Sequence, residues 1–268
     1  MAAITVYEHP LSPYAQKVKI ALREKGIDFK LELPMAIGSG ADIEEFARIN
    51  PRSEVPLYVE KGEVEGDFSI FDSTIIVQYI EDKWPEPALL PKTPAARAKV
   101  RLIEEVMDTH YEAINWGLGE IHAFKRAEGA QADEITATAK AQTQSFYRWL
   151  EGQLDGADWF NGASFGYGDL CVVPFVNGSV TWGMGPEEGS AIAKWLDRVN
   201  RRPSVAQTRE EALAMAGGLE LAQQAIEQGL MKREYRDHRL EWMIKSGGLS
   251  VVVEGLEKDN IRFTGAFA

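Results

Sequence analysis

Apolar and polar positions alternate in two ways along this chain, and the change of period divides it. Up to about residue 84, short segments of strand and helix type follow one another. Residues 4–8 read as a strand. Residues 12–25 read as a helix with Val18, Ala21 and Leu22 on one face, closed by Gly26. Charged and apolar residues alternate over 28–33, as in a strand, and 42–49 is a short helical stretch. Residues 55–59 form a further strand. A turn at Lys61-Gly62-Glu63 lets 66–70 pair back as a hairpin. Residues 72–83 carry Ile75, Ile76, Tyr79 and Ile80 on one helical side. The order βαβ(α)ββα predicts a mixed sheet with helices packed on it.

Pro85, Pro87, Pro91 and Pro94 then break the pattern within ten residues, as a linker does. Beyond them the period is helical. Val100, Ile103, Met107, Tyr111 and Ile114 mark one long helix over 95–124. Further helices are predicted over 133–154, 168–178 and 189–200. A charged amphipathic helix over 219–244 ends at Gly247-Gly248, and 249–267 has no clear assignment. The division expected is 1–84, a linker over 85–94, an all-helical part over 95–215 and an extension over 216–268.

A net charge of −12, spread along the chain, argues against nucleic acid and anionic membrane as partners. No apolar run is long enough to span a bilayer, and the start lacks the pattern of a signal peptide. A soluble, cytoplasmic protein is expected. The single cysteine, Cys171, excludes an intrachain disulfide framework and cysteine-cluster metal sites. Its apolar neighbours Leu170, Val172 and Val173 predict a buried thiol.

Three local patterns carry candidate chemistry. Ser12 stands between the first strand and the first helix, where backbone amides and the helix dipole favour negative charge. It reads either as an N-cap or as a group meeting an anion. Val55-Pro56 opens a strand. A trans bond makes it an ordinary strand start; a cis bond would turn the Val55 backbone toward an extended ligand. Asp72-Ser73 begins a helix, either as its cap or as a grip on a carboxylate and an ammonium group.

Together and in this order, the three patterns resemble the glutathione transferase superfamily. Ser12 matches the position of its catalytic Ser or Cys, Val55-Pro56 its cis-proline, and Asp72-Ser73 its Glu/Gln-Ser pair. Phe165-Gly166-Tyr167-Gly168-Asp169-Leu170 resembles its capping-box motif, and residues 195–203 its closing helix. The resemblance covers about residues 4–210. It implies a thioredoxin-like α/β domain followed by an all-α domain, in a cytoplasmic homodimer suited to detoxification. It implies glutathione as co-substrate, held by Val55, Pro56, Asp72, Ser73 and Tyr14, with no metal. The Ser12 hydroxyl would hydrogen-bond the glutathione sulfur and favour its thiolate, without being a covalent nucleophile. Tyr7 is a rival for that contact.

The chain departs from the family pattern in three places. Ser39-Gly40-Ala41-Asp42 lacks a Lys for the glycyl carboxylate. Glu54 stands where Gln is common, and should point away or pair with Arg52. Gly166 replaces the usual Ser/Thr cap, leaving Asp169 to cap its helix alone. For the second substrate, Met107, Tyr111 and Trp116 are candidate pocket residues, with Ile114, His122 and Phe124 nearby. A stripe at helical spacing is equally a core. Asp108 either reaches an ammonium group across a dimer or is solvated. Trp242, Met243, Phe263 and Phe267 in the extension offer either a lid or a subunit contact. His110 and His122 lack metal-ligand spacing.

The leading expectation is a transferase whose thiolate attacks a small apolar or aromatic electrophile, by conjugation, dehalogenation or ether cleavage. The alternatives are a non-catalytic binding module of the same family and a glutathione-dependent peroxidase. The resemblance implies glutathione and the electrophile as partners, with no nucleic acid and no membrane.

Overall fold

A computed structural model describes residues 3–34, 44–62, 66–229, 238–258 and 260. The N-terminal part builds a four-stranded sheet in the order β2-β1-β3-β4. β1 (Ile4–Tyr7) pairs in parallel with β2 (Lys30–Glu32) and antiparallel with β3 (Leu57–Glu60), which pairs antiparallel with β4 (Phe68–Phe71). Between them lie α1 (Pro13–Glu24) and α2 (Glu44–Ile49), and α3 (Ser73–Lys83) follows β4. Val6 and Tyr58 from the sheet, Val18 and Leu22 from α1, and Ile76 and Ile80 from α3 share one core. The alternation that predicted this mixed sheet is local, which is why the strands fall within two residues of expectation.

Lys25 pins the chain as it leaves this layer. Its Nζ donates to the carbonyls of Trp84 at 2.6 Å and Pro87 at 2.9 Å, and pairs with Glu81 at 2.7 Å. Among the described residues, every named element afterwards is helical. The single helix expected over 95–124 is instead α4 (Pro94–Val106), a π-helical turn at Met107–Tyr111, and α5 (Glu112–His122). Then come α6 (Gly129–Leu154), α7 (Tyr167–Thr181), α8 (Ala191–Val199) and α9 (Pro203–Met215). α7 is buried throughout residues 167–176, packed on α1 and α4, so the core runs continuously from sheet to helices.

Gly166 departs from the usual cap because there is no room for a side chain. A Cβ there would lie 1.8 Å from Asn161 Nδ2 and 2.4 Å from the Leu89 carbonyl oxygen. Asp169 takes over. Its carboxylate accepts the amides of Gly166 at 3.0 Å and Phe160 at 2.9 Å, and the Trp195 indole N–H at 2.8 Å. Burial raises its pKa to about 6, against these bonds.

The extension departs from expectation. The helix predicted over 219–244 is two separate helices, α10 (Leu219–Glu227) and α11 (His238–Lys245). Gly229, with φ 72°, ends the first. The unassigned stretch beyond Gly248 contains α12 (Leu249–Glu257). Among the described residues, no helix is long and apolar enough to cross a membrane.

Candidate active site

β1 delivers the chain into a tight loop, and Ser12 follows as the N-cap of α1. Its φ of −74° and ψ of 115° place the hydroxyl against the helix start, where Oγ accepts the Ala15 amide at 3.3 Å. Pro13 at the first helical position needs no partner for a missing N–H. A serine oxygen accepts with its lone pairs and donates through its own proton. Capping α1 therefore leaves the O–H of Ser12 free to donate outward. The cap and the anion-binding reading are compatible.

Buried Asn50 organises the second segment. Its Nδ2 donates to the Glu54 carbonyl at 2.6 Å, and its Oδ1 accepts the Arg52 amide at 3.1 Å. This folds residues 50–54 back and delivers Val55 and Pro56, joined by a cis peptide bond, just before the β3 ladder begins. Asp72 caps α3 with φ 77°. Its Oδ1 accepts the amides of Thr74 at 3.1 Å and Ile75 at 3.4 Å, and Oδ2 pairs with Arg52 at 3.2 Å. Arg52 thus pairs with Asp72, where pairing with Glu54 was one of the two expectations.

These segments converge on a cavity of about 370 Å³. One wall is Val55, Pro56, Phe71, Asp72, Ser73 and Thr74, with Asn50, Arg52 and Glu54 at its edge. Tyr14 and Gln78 complete that side. The opposite wall comes from α4 and the π-helical turn: Arg101, Glu104, Glu105, Asp108 and Thr109. Tyr14 ties the walls together by donating its hydroxyl to the Asp108 carbonyl at 2.7 Å.

Behind this junction lies a buried ionic cluster. Lys17 is fully enclosed, and its ammonium meets Glu104 at 2.9 Å and Asp108 at 2.5 Å. Thr74 donates to both carboxylates, at 3.0 and 3.3 Å, and Tyr167 donates to Glu104 at 2.6 Å. Burial alone pulls the Lys17 pKa down. Asp108 and Glu104 outweigh it and hold the ammonium charged. Burial raises Asp108 to about 6, with Lys17 opposing. Asp108 Oδ1 is buried with no hydrogen-bond partner among the described residues.

α1 carries two lysines, Lys17 and Lys19. Both are wholly buried and neutralised. They stand two residues apart, on opposite faces of α1. Lys19 meets Glu8 at 3.1 Å and Glu211 of α9 at 3.0 Å. No local pattern announces this, because the partners of Lys17 lie 87 and 91 positions away.

The structure thus brings Tyr14, Val55, Pro56, Asp72 and Ser73 to one cavity. Ser12 lies outside its lining, in the loop that leads to Tyr14. Met107 and Tyr111 are not brought to it. Both are fully buried in the core, and the Tyr111 hydroxyl is 2.8 Å from Ser179 Oγ. Trp116 is half-buried on α5, outside the lining. The stripe through 100–114 is core, and its polar complement faces the cavity. Tyr7 packs edge-on against Phe46, centroids 5.8 Å apart, outside the cavity's lining. His122 contacts Thr136 Oγ1 at 3.2 Å and stacks near Trp182. Cys171 is buried, and burial pushes its thiol pKa well up. Residues 39–42, Phe263, Phe267 and the Trp242 side chain lie outside the described residues.

Comparison with known proteins accounts for this arrangement. Residues 6–88 match the glutathione S-transferase N-terminal domain and residues 88–203 its C-terminal domain. The chain is 29% identical over 220 residues to glutathione S-transferase U28 of Arabidopsis thaliana, covering 78% of this chain and 89% of that one. It is 24% identical over 207 residues to the disulfide-bond oxidoreductase YfcG of Escherichia coli, covering 76% and 93%. The crystal structure of a glutathione S-transferase from Rhodospirillum rubrum superposes with a TM-score of 0.65 at 28% identity, over 76% of this chain and 91% of the other. The sheet with its α3 cap, the helical part docked on α1 and both domain matches agree: this chain belongs to the glutathione transferase superfamily, with a thioredoxin-like domain followed by an all-helical one.

Proposed function

We propose that this chain is a glutathione transferase that activates the glutathione thiol for attack on a small electrophile. The observation that carries the reading is the convergence of Val55, Pro56, Asp72, Ser73 and Tyr14 on one cavity at the N-terminus of α3. Glutathione carries an ammonium and a carboxylate at its γ-glutamyl end and a second carboxylate at its glycyl end. In this reading Ser73 and the α3 amides receive the γ-glutamyl carboxylate. Asp72 receives the ammonium, since a carboxylate oxygen bonded to Arg52 still has acceptor capacity. Arg52 and Arg101 supply positive charge for the glycyl end. The peptide runs past Val55, and its sulfur reaches the Ser12 loop.

There the Ser12 O–H donates to sulfur and the positive end of α1 adds to the effect, so the thiolate is favoured at neutral pH. The thiol proton leaves to solvent. The thiolate forms a new C–S bond, and a halide or aryl-oxide leaving group departs with its electron pair. Addition to an activated double bond uses the same nucleophile. The electrophile class proposed is apolar or aromatic. Ser12, not a cysteine, stands at this position and Cys171 is buried, which turns the reading away from disulfide exchange through a protein thiol. We place the parts at 1–84, 85–94, 95–215 and 216–268, in a cytoplasmic homodimer. Exposed Phe68, Ile75 and Leu102 on β4, α3 and α4 favour a second subunit there.

Calorimetry with glutathione, followed by turnover of a chloronitroarene, tests the proposal. Binding with turnover supports it. Binding without turnover of either the arene or an organic hydroperoxide leaves a binding module. No binding contradicts it.

A further inference from the structure

Ser12 can serve the sulfur only if its loop holds the hydroxyl in place, and its own cap bond is long at 3.3 Å. The loop is tied elsewhere. Pro10 has no amide to offer, so the Leu11 amide is the first donor inside the turn. It donates to His9 Nδ1 at 3.2 Å. The Ser12 amide donates to the His9 carbonyl at 2.8 Å, and Gln16 Nε2 donates to the Pro10 carbonyl at 2.8 Å. A side chain accepting the amide two residues on is the geometry of an Asx-turn, made here by an imidazole.

We propose that His9 is a positioning residue for the reaction: its imidazole, by accepting the Leu11 amide, sets the turn that presents the Ser12 hydroxyl to sulfur. The inference rests on the Ser12 reading given above. It requires the neutral ring with its proton on Nε2, because a protonated imidazole has no lone pair for Leu11. The surroundings favour that form. Partial burial, then the positive charge of Lys19, hold the His9 pKa below its ordinary value. Glu8, next in the chain, is buried and paired with Lys19 at 3.1 Å. The contribution of His9 is geometric. It touches neither sulfur nor electrophile.

The test is the pKa of the glutathione thiol bound to the full-length protein, followed by thiolate absorbance, together with kcat and KM for a chloronitroarene. His9→Leu is expected to raise that pKa and to lower kcat about tenfold, less than the roughly 10²-fold that a full ångström of misplacement can cost. KM for glutathione should change less than about twofold, because Val55, Asp72 and Ser73 are untouched. His9→Asn, whose Oδ1 reaches the same amide, should restore both quantities. His9→Gln, one carbon longer, should not, and it carries the test if His9→Leu fails to fold. An unchanged thiol pKa in His9→Leu or His9→Gln, beside a raised one in Ser12→Ala, overturns the role of His9 alone. So does a loss in His9→Asn as large as in His9→Leu. An unchanged pKa in Ser12→Ala removes the underlying reading, and this inference falls with it.

Discussion

The two walls of the cavity are built by different rules. The wall of Val55, Pro56, Asp72 and Ser73 is made of caps and turns whose partners, Arg52 on Asp72 apart, lie within a few residues. The wall of Arg101, Glu104, Glu105, Asp108 and Thr109 is one face of a helix, and its charges are settled by residues far away in sequence. Lys17 fixes two of those carboxylates, Thr74 bridges them and Tyr14 holds the backbone of Asp108. The first wall can lose a contact and keep its shape. The second depends on a charge balance that no member holds alone.

That contrast is sharpest when the balance is broken. Lys17→Met leaves Glu104 and Asp108 buried without their cation, and should destabilise the fold by roughly 3–5 kcal/mol in denaturant unfolding. A loss under about 1 kcal/mol would mean that water solvates the cluster. Ser12→Ala removes the α1 cap and should destabilise the fold by about 1 kcal/mol. It should lower kcat about 10²-fold, as loss of one preorganised donor to a developing anion does, with glutathione affinity held within about twofold.

Asp108→Asn sharpens the second wall through pH. The Asp108 pKa is raised from 3.8 to about 6, so the folded state binds the proton more tightly than the unfolded state. Its favourable contribution is complete below about pH 4 and is lost as pH rises through 6. The stability difference between wild type and Asp108→Asn should therefore move in favour of wild type by on the order of 2 kcal/mol from pH 7 to pH 4. Unfolding midpoints across that range check the sign. The smallest effect belongs to the first wall. Asp72→Asn keeps the α3 cap, so stability should change by less than about 0.5 kcal/mol. The KM for glutathione should still rise several-fold, because the charge for the ammonium is gone. Equal losses in stability and KM would make Asp72 a cap only.

The same contrast explains what the sequence made legible. Strand alternation, the serine before Pro13, the Asp72 cap and the Val55-Pro56 strand start are short-range signals, and each lies where it was expected. The helical wall was left open between core and pocket, because an apolar stripe looks alike whether it faces a core or a substrate. Met107 and Tyr111 fill the core, and Asp108 and Thr109 between them line the cavity. The π-helical turn at Met107–Tyr111 shifts the helical phase there, and no residue announces it. Lys17 and Lys19 look like solvated side chains of an amphipathic helix until Glu104, Asp108 and Glu211 fold against them. His9 lies in no apolar pattern at all. Its role rests on one hydrogen bond across two residues.

The central claim is that Ser12 sets the charge on the sulfur of bound glutathione. Titrating the thiolate absorbance of glutathione on the wild-type protein and on Ser12→Ala tests it most directly. The account predicts a bound thiol pKa below 7 in the wild type, against roughly 8.5 for a free thiol, and a return toward the free value in Ser12→Ala. Equal values in the two proteins would contradict it.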